Sequence, residues 1–216
     1  MSFLFRNQST RFLPYLLLIV LTSCKPASEP QSTSAVLGQE PAAAPEKPAP
    51  VQDHDGFRPL FDGQSFSGWH GFRGGDVTDN WRIKGGVIEF LERKDGAVDL
   101  VSDDAFENFE LRLEWKISPG GNSGIMFNVA ESPEYSTPWK TGPEVQILDD
   151  GGHSDGTEAT HRAGALYDML ASQLEGSPQT DVWNESRLII ENGLVRHWLN
   201  GNLTFEVQMW NESWDQ

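Results

Sequence analysis

Apolar and polar residues alternate through Glu110-Leu111-Arg112-Leu113-Glu114-Trp115-Lys116-Ile117, the period of a half-buried antiparallel strand. A second run, Ser123 to Val129, follows Gly120-Gly121-Asn122 and sends Ile125, Phe127 and Val129 to one face. Three segments carry hairpin chemistry: Lys84-Gly85-Gly86, Asn192-Gly193 and Asn200-Gly201. An Asn-Gly pair between alternating strands marks a tight turn because both central residues must take positive φ. The last two turns predict a meander of Ser186–Glu191, Leu194–Leu199 and Leu203–Met209. Past the amino-terminal segment the one short helical candidate is Ser102–Glu107. Many short strands joined by Gly-rich turns predict an all-β sandwich or barrel, with Leu113, Trp115, Ile125, Phe127, Val145 and Ile147 in its core.

The amino terminus has a different pattern. Arg6 and Arg11 precede an apolar run from Phe12 to Leu21, too short to cross a bilayer but suited to a secretory leader. Leu21-Thr22-Ser23-Cys24 resembles a bacterial lipobox, which implies cleavage before Cys24 and acylation of its thiol and new amino terminus. Residues 1–23 are therefore expected to be a signal peptide and Cys24 a lipidation site. The protein would then be anchored in the cell envelope, on the periplasmic face of a membrane or at the cell surface. From position 24 to 55 the chain is rich in Pro, Ala, Ser, Glu and Gln and cannot bury enough surface to offset its ordering entropy, so a disordered tether is expected. Residues 56–216 suit one domain.

Composition narrows the partners. The net charge is −16, with 32 acidic against 16 basic residues, a field that repels phosphate backbones and argues against nucleic acid. Cys24 is the single cysteine, so neither an intramolecular disulfide nor a thiolate metal cage can form. Aromatic residues make up 11% of the chain and include 8 Trp. Trp beside acids and amides suits a sugar site, where C–H faces stack on rings and hydroxyls take paired hydrogen bonds.

A set of motifs carries a resemblance. Leu60-Phe61-Asp62-Gly63 with Gly68-Trp69, Trp81-Arg82-Ile83, Phe109 to Trp115 and Gly120-Gly121-Asn122-Ser123-Gly124-Ile125 come in order. Gly142-Pro143-Glu144-Val145-Gln146-Ile147-Leu148-Asp149, Gly164-Ala165-Leu166-Tyr167-Asp168, Trp183-Asn184 and His197-Trp198-Leu199-Asn200-Gly201 follow. Together they resemble the 3-keto-α-glucoside 1,2-lyase/3-keto-2-hydroxyglucal hydratase family, also described as 3-keto-disaccharide hydrolases and once as domain of unknown function 1080. The resemblance implies a concanavalin-like jelly roll of two antiparallel sheets with a ligand-binding concave face. It also implies one more strand beyond Leu203–Met209, so the final strand is expected to be missing from this chain. The reaction it implies is cleavage of a 3-keto-glucoside by elimination across C1–C2 followed by hydration. A sugar 3-dehydrogenase would supply that substrate.

Such chemistry needs a base for the C2 proton, an electrophile at the C3 oxygen and an acid for the leaving group. Period two sends Glu144 and Gln146 to one face, about 7 Å apart, and Val145 and Ile147 to the other. Glu144, His153 and His161 are the candidates for proton transfer; the two histidines flank the Gly/Asp/Thr-rich loop 151–160, where a rigid scaffold can present acid/base groups. Asn122, Ser123, Gln146, Asp149 and Tyr167 are the candidates for holding sugar hydroxyls, and their oxygens leave a divalent cation open as the group at the ketone. Tyr167 and Asp168, as neighbours on a strand, cannot both line one face without a bulge, so either one of them is structural or the strand ends at Leu166. His197 has a weaker case for a site role. Glu110, Arg112, Glu114 and Lys116 are expected to form a solvated, ion-paired strand face. A non-catalytic carbohydrate-binding module is the alternative, since this kind of fold often only binds glycans. A retaining glycosidase fits poorly, because it needs two carboxylates about 5–5.5 Å apart and position 146 is Gln.

Overall fold

A computed structural model describes residues 3–7, 16–19, 57–91, 98–212 and 214. Its strands are β1 (Phe3–Asn7), β2 (Leu16–Ile19), β3 (Phe57–Pro59), β4 (Trp69–Gly71), β5 (Trp81–Lys84), β6 (Val87–Phe90) and β7 (Leu100–Ala105). They continue as β8 (Phe109–Trp115), β9 (Asn122–Val129), β10 (Glu144–Leu148), β11 (Asn184–Glu191), β12 (Leu194–Leu199) and β13 (Asn202–Gln208). The described residues hold short 3-10 turns but no α-helix, and so no helix long and apolar enough to cross a membrane.

Two antiparallel sheets make an all-β, jelly-roll sandwich. One has six strands in the order β13-β12-β11-β8-β1-β3 and the other five in the order β10-β9-β2-β7-β4; the β5–β6 hairpin stands apart. The alternation that predicts the strands also sorts their faces. Leu111, Leu113 and Trp115 of β8, Ile125 and Phe127 of β9, and Val145 and Ile147 of β10 all lie in one buried core. On the other face of β8, Glu110 bonds Arg187 of β11 at 2.7 and 3.1 Å and Arg112 at 2.7 Å, the expected ion-paired surface. Asn192 and Asn200 take positive φ in the turns of the β11–β12–β13 meander, as the Asn-Gly pairs predict.

The structure corrects one expectation and decides the weaker case of His197. Ser102–Glu107 is no helix: β7 runs through Ala105, pairing with β4, because burial of Leu100 and Val101 in an extended strand outweighs weak local preference. His197 is a core residue. Its Nδ1 bonds the Thr204 hydroxyl at 2.7 Å, its ring stacks on Phe205, and burial pushes its pKa down to about 3.

The two segments inside the expected leader each supply an inner strand. β1 lies between β3 and β8, and β2 between β7 and β9. Cleavage before Cys24 would remove both and leave those four strands facing gaps. Cys24 and the tether of 24–55 lie outside the described residues.

Candidate functional site

β9 and β10 pair antiparallel with Gln146 opposite Gly124 and Glu144 opposite Met126. The face away from the core therefore presents Asn122, Gly124, Glu144 and Gln146 side by side. Residues 164–167 run along the outer edge of β10: Gln146 N–H donates to the Ala165 carbonyl and Tyr167 N–H to the Glu144 carbonyl, each at 2.9 Å. That pairing covers the sheet edge and brings Tyr167 beside Glu144. The result is a cavity of about 770 Å³ with Asn122, Glu144, Gln146, Asp155 and Tyr167 among its walls.

Glu144 is the electrostatic centre. Its pKa is pushed up to about 8, first by desolvation and then by the charges of Asp99 and Asp155. Gly124 makes that enclosure possible, since a Cβ there would overlap the Glu144 carboxylate. Gln146 is buried, and its amide nitrogen has no hydrogen-bond partner among the described residues. A buried donor of this kind gains from a ligand acceptor. Tyr167 is pushed up to about 12 by desolvation and by the charge of Asp155, so its hydroxyl stays a donor.

Asp155, which the sequence reading passed over, joins these groups. Its Oδ2 accepts from Asn122 Nδ2 at 3.3 Å and from the Tyr167 hydroxyl at 3.5 Å. The signal was present in the loop of 151–160, singled out there for its histidines alone. His153 stands behind it: its Nδ1 accepts from Asp155 N–H at 3.2 Å. His161 is likewise one layer back. It stacks on Tyr167 with centroids 4.2 Å apart and its Nε2 bonds Asp168 Oδ1 at 2.6 Å. Both histidines thus brace groups that line the cavity.

The other candidates divide. Asn122, Gln146 and Tyr167 line the cavity. Ser123 does not: it sits opposite Ile147, buried on the core side. Asp149 also turns elsewhere, its Oδ2 accepting from Gly120 N–H at 2.7 Å, which ties the end of β10 to the start of β9. Tyr167 and Asp168 do share the cavity, because the extended pairing stops at the Leu166 bridge and Asp168 takes φ 61° and turns the chain. Asn128, Trp139, Lys140 and Trp210 are also among the lining residues; they come from three segments too far apart in sequence to be grouped by spacing.

Among the described residues no group of three or more His, Cys, Asp or Glu side chains is gathered for a metal ion. Of the three carboxylates in the lining, Glu144 is biased toward its protonated form and Asp168 is held by His161, a poor match to the six to eight oxygens a calcium-like ion takes.

Comparisons with known proteins agree with this architecture. The curated 3-keto-disaccharide hydrolase of Bacteroides thetaiotaomicron is 32% identical over 179 residues, which cover 75% of this chain and 62% of that protein. The chain thus spans less than two thirds of that relative's length. A provisionally named glycosyl hydrolase from Parabacteroides distasonis ATCC 8503 superposes with a TM-score of 0.65 at 35% identity, over 72% of this chain and 73% of that one. Another from the same organism, at 22% identity and a TM-score of 0.51 over 77% and 78% of the two chains, shares the fold. The family model of the 3-keto-alpha-glucoside-1,2-lyase-like domain matches residues 56–216. With its sandwich, its motif order and three quarters of its length so matched, the chain belongs to the 3-keto-alpha-glucoside-1,2-lyase-like domain family.

Proposed function

We propose that this protein cleaves 3-keto-glucosides in the carbohydrate catabolism of the cell envelope, by elimination across C1–C2 and then hydration. What carries the assignment is the Glu144 carboxyl, raised to about 8 next to Asp155 in a cavity large enough for a sugar. Two carboxyl groups in unlike surroundings can divide acid and base work between them.

The ketone at C3 acidifies the C2 proton, because the electron pair left behind delocalises onto the C3 oxygen as an enolate. Asp155 is the base that takes this proton. The enolate pair then re-forms the C3 carbonyl, a C1–C2 double bond appears, and the C1–O bond breaks. Glu144, protonated at neutral pH, gives its proton to the departing glycosidic oxygen. Water adds at C1, C2 regains a proton, and the sum is hydrolysis of the keto-glucoside. Tyr167 and the Gln146 amide donate hydrogen bonds to sugar oxygens, the C3 ketone among them. An oxidoreductase acting on the C3 hydroxyl must supply the substrate. Lipidation at Cys24 would hold the protein on the periplasmic face of a membrane, near such a partner.

The test is to incubate the protein with a 3-keto-glucoside and with its unoxidised parent and to follow both. Consumption of the keto-sugar alone is the expected result. Cleavage of the parent would make the protein an ordinary glycosidase, and binding without turnover would make it a carbohydrate-binding module.

A further inference from the structure

His70 of β4 lies between two carboxylates. Its Nδ1 is 2.7 Å from Asp103 Oδ1 on β7, and its Nε2 is 2.9 Å from Glu131 Oε2, just past the end of β9. A carboxylate offers only acceptors, and a neutral imidazole has a single N–H to give. Both contacts are hydrogen bonds only when both ring nitrogens carry protons, so this geometry belongs to the imidazolium. Glu131 is fixed on its other side as well, where Oε1 accepts from the Arg73 N–H. Among the described residues no other cation pairs with Asp103 or Glu131.

Glu131 opens the connection from β9 to one wall of the cavity. Residues 130–136 are mostly exposed and belong to no strand or helix, and the bonds from the Glu134 and Tyr135 N–H groups reach back only to Ser132. A segment held by so little is of the kind that opens first. Its far end is the wall itself, since Trp139, Lys140, Thr141 and Gly142 line the cavity. There the Thr141 hydroxyl donates to the Ala130 carbonyl at 3.1 Å and accepts from the Ala130 N–H at 3.2 Å. The tie at Glu131 thus sits one residue from the clamp that seats the wall.

We propose that His70 is a pH-sensitive clip: as an imidazolium it joins Asp103 to Glu131 and holds residues 130–141, and with them one wall of the cavity, against β4 and β7; as a neutral imidazole it lets them go. Losing the proton removes one hydrogen bond and turns a ring lone pair toward a carboxylate, so an attraction becomes a repulsion. Burial pulls the His70 pKa down, but the hydrogen bonds and charges of Glu131 and Asp103 outweigh it and hold the pKa above the ordinary 6.5. Those two carboxylates are the charged groups that act on the ring, one from β7 and one from the connection; β4 itself, Trp69–Gly71, adds none. The clip is therefore complete below pH 6.5 and is lost as pH rises through the raised value.

Chymotryptic cleavage after Tyr135, exposed in the middle of the connection, reads its opening. His70→Gln should be cut roughly 2- to 5-fold faster than the wild type at pH 6, the scale of a partly exposed ion pair. At pH 9, where the wild-type clip is open, the two should be cut at the same rate. Comparing the proteins at each pH cancels the pH dependence of the protease. Glu131→Gln should behave like His70→Gln, and the double variant should be cut no faster than either single one. The exposed position of residue 131 keeps the test decisive if His70→Gln does not fold. Equal cleavage of wild type and variants at pH 6, or the same excess at both pH values, would overturn the clip.

Discussion

Glu144 on β10 folds its carboxylate across Gly124 on β9, so closely that any side chain at 124 would displace it. The two strands pair with Gln146 opposite Gly124, so the missing side chain opens a slot diagonal to Glu144 in which its carboxyl group is shielded from water. Gly124→Ala should therefore act like loss of Glu144. Turnover of a 3-keto-glucoside should fall by about 10²–10⁴-fold, the range of a lost acid/base group, with the fold retained by circular dichroism. Turnover near the wild-type rate would separate Gly124 from the chemistry.

Glu144 also makes a prediction about stability. Its pKa rises from 4.5 to about 8 on folding, so the native state holds a proton that the unfolded chain gives up. Its favourable contribution is complete below pH 4.5 and is lost as pH rises through about 8. Glu144→Gln, always neutral, should match the wild type in urea denaturation at pH 5 and exceed it at pH 9, by roughly 2–5 kcal/mol. A constant difference between the two pH values would show that the carboxyl is not desolvated.

His197 has the opposite sign. Burial lowers its pKa from 6.5 to about 3, so the unfolded chain takes up a proton that the native state refuses. The stability it contributes is present above pH 6.5 and falls as the medium is acidified toward pH 3. His197→Gln should flatten the loss between pH 6.5 and 4.5 by about 1.4 kcal/mol per pH unit. An unchanged slope would mean that His197 is protonated or exposed in the native protein.

Leu113, only 1% exposed, lies at the centre of β8 in the main core. Leu113→Ala should cost about 2–5 kcal/mol, combining lost burial with a residual cavity. Chemical denaturation with an unchanged m-value is the measurement, and a cost below 1 kcal/mol would contradict its burial.

Cys24 bears on location alone. If acyl chains anchor the protein, at about 0.8 kcal/mol per buried methylene, Cys24→Ser should move it from the detergent phase to the aqueous phase. An unchanged partition would show that the acyl group is not the anchor.

Local pattern by itself determined much of the sandwich. Period two in Glu110–Ile117 and in 144–147 decides which side chains face the core, because successive residues on a strand point to opposite sides. The Asn-Gly turns close the β11–β12–β13 meander for a reason equally local, the positive φ those turns require. Motif order marked the family, and the face shared by Asn122, Glu144 and Gln146 follows from the same alternation. Tertiary structure alone decided how far Glu144 is desolvated and which charges act on it, since Asp155 reaches it through a loop whose path is set by long-range contacts. It also decided that Asp149 ties two strand ends together, that Ser123 turns inward, and that Asp168 bends back beside Tyr167. The sharing of one cavity by Trp139 and Trp210 is of the same kind: the two residues are 71 positions apart, and no spacing rule joins residues that come together only when separate loops fold over one sheet.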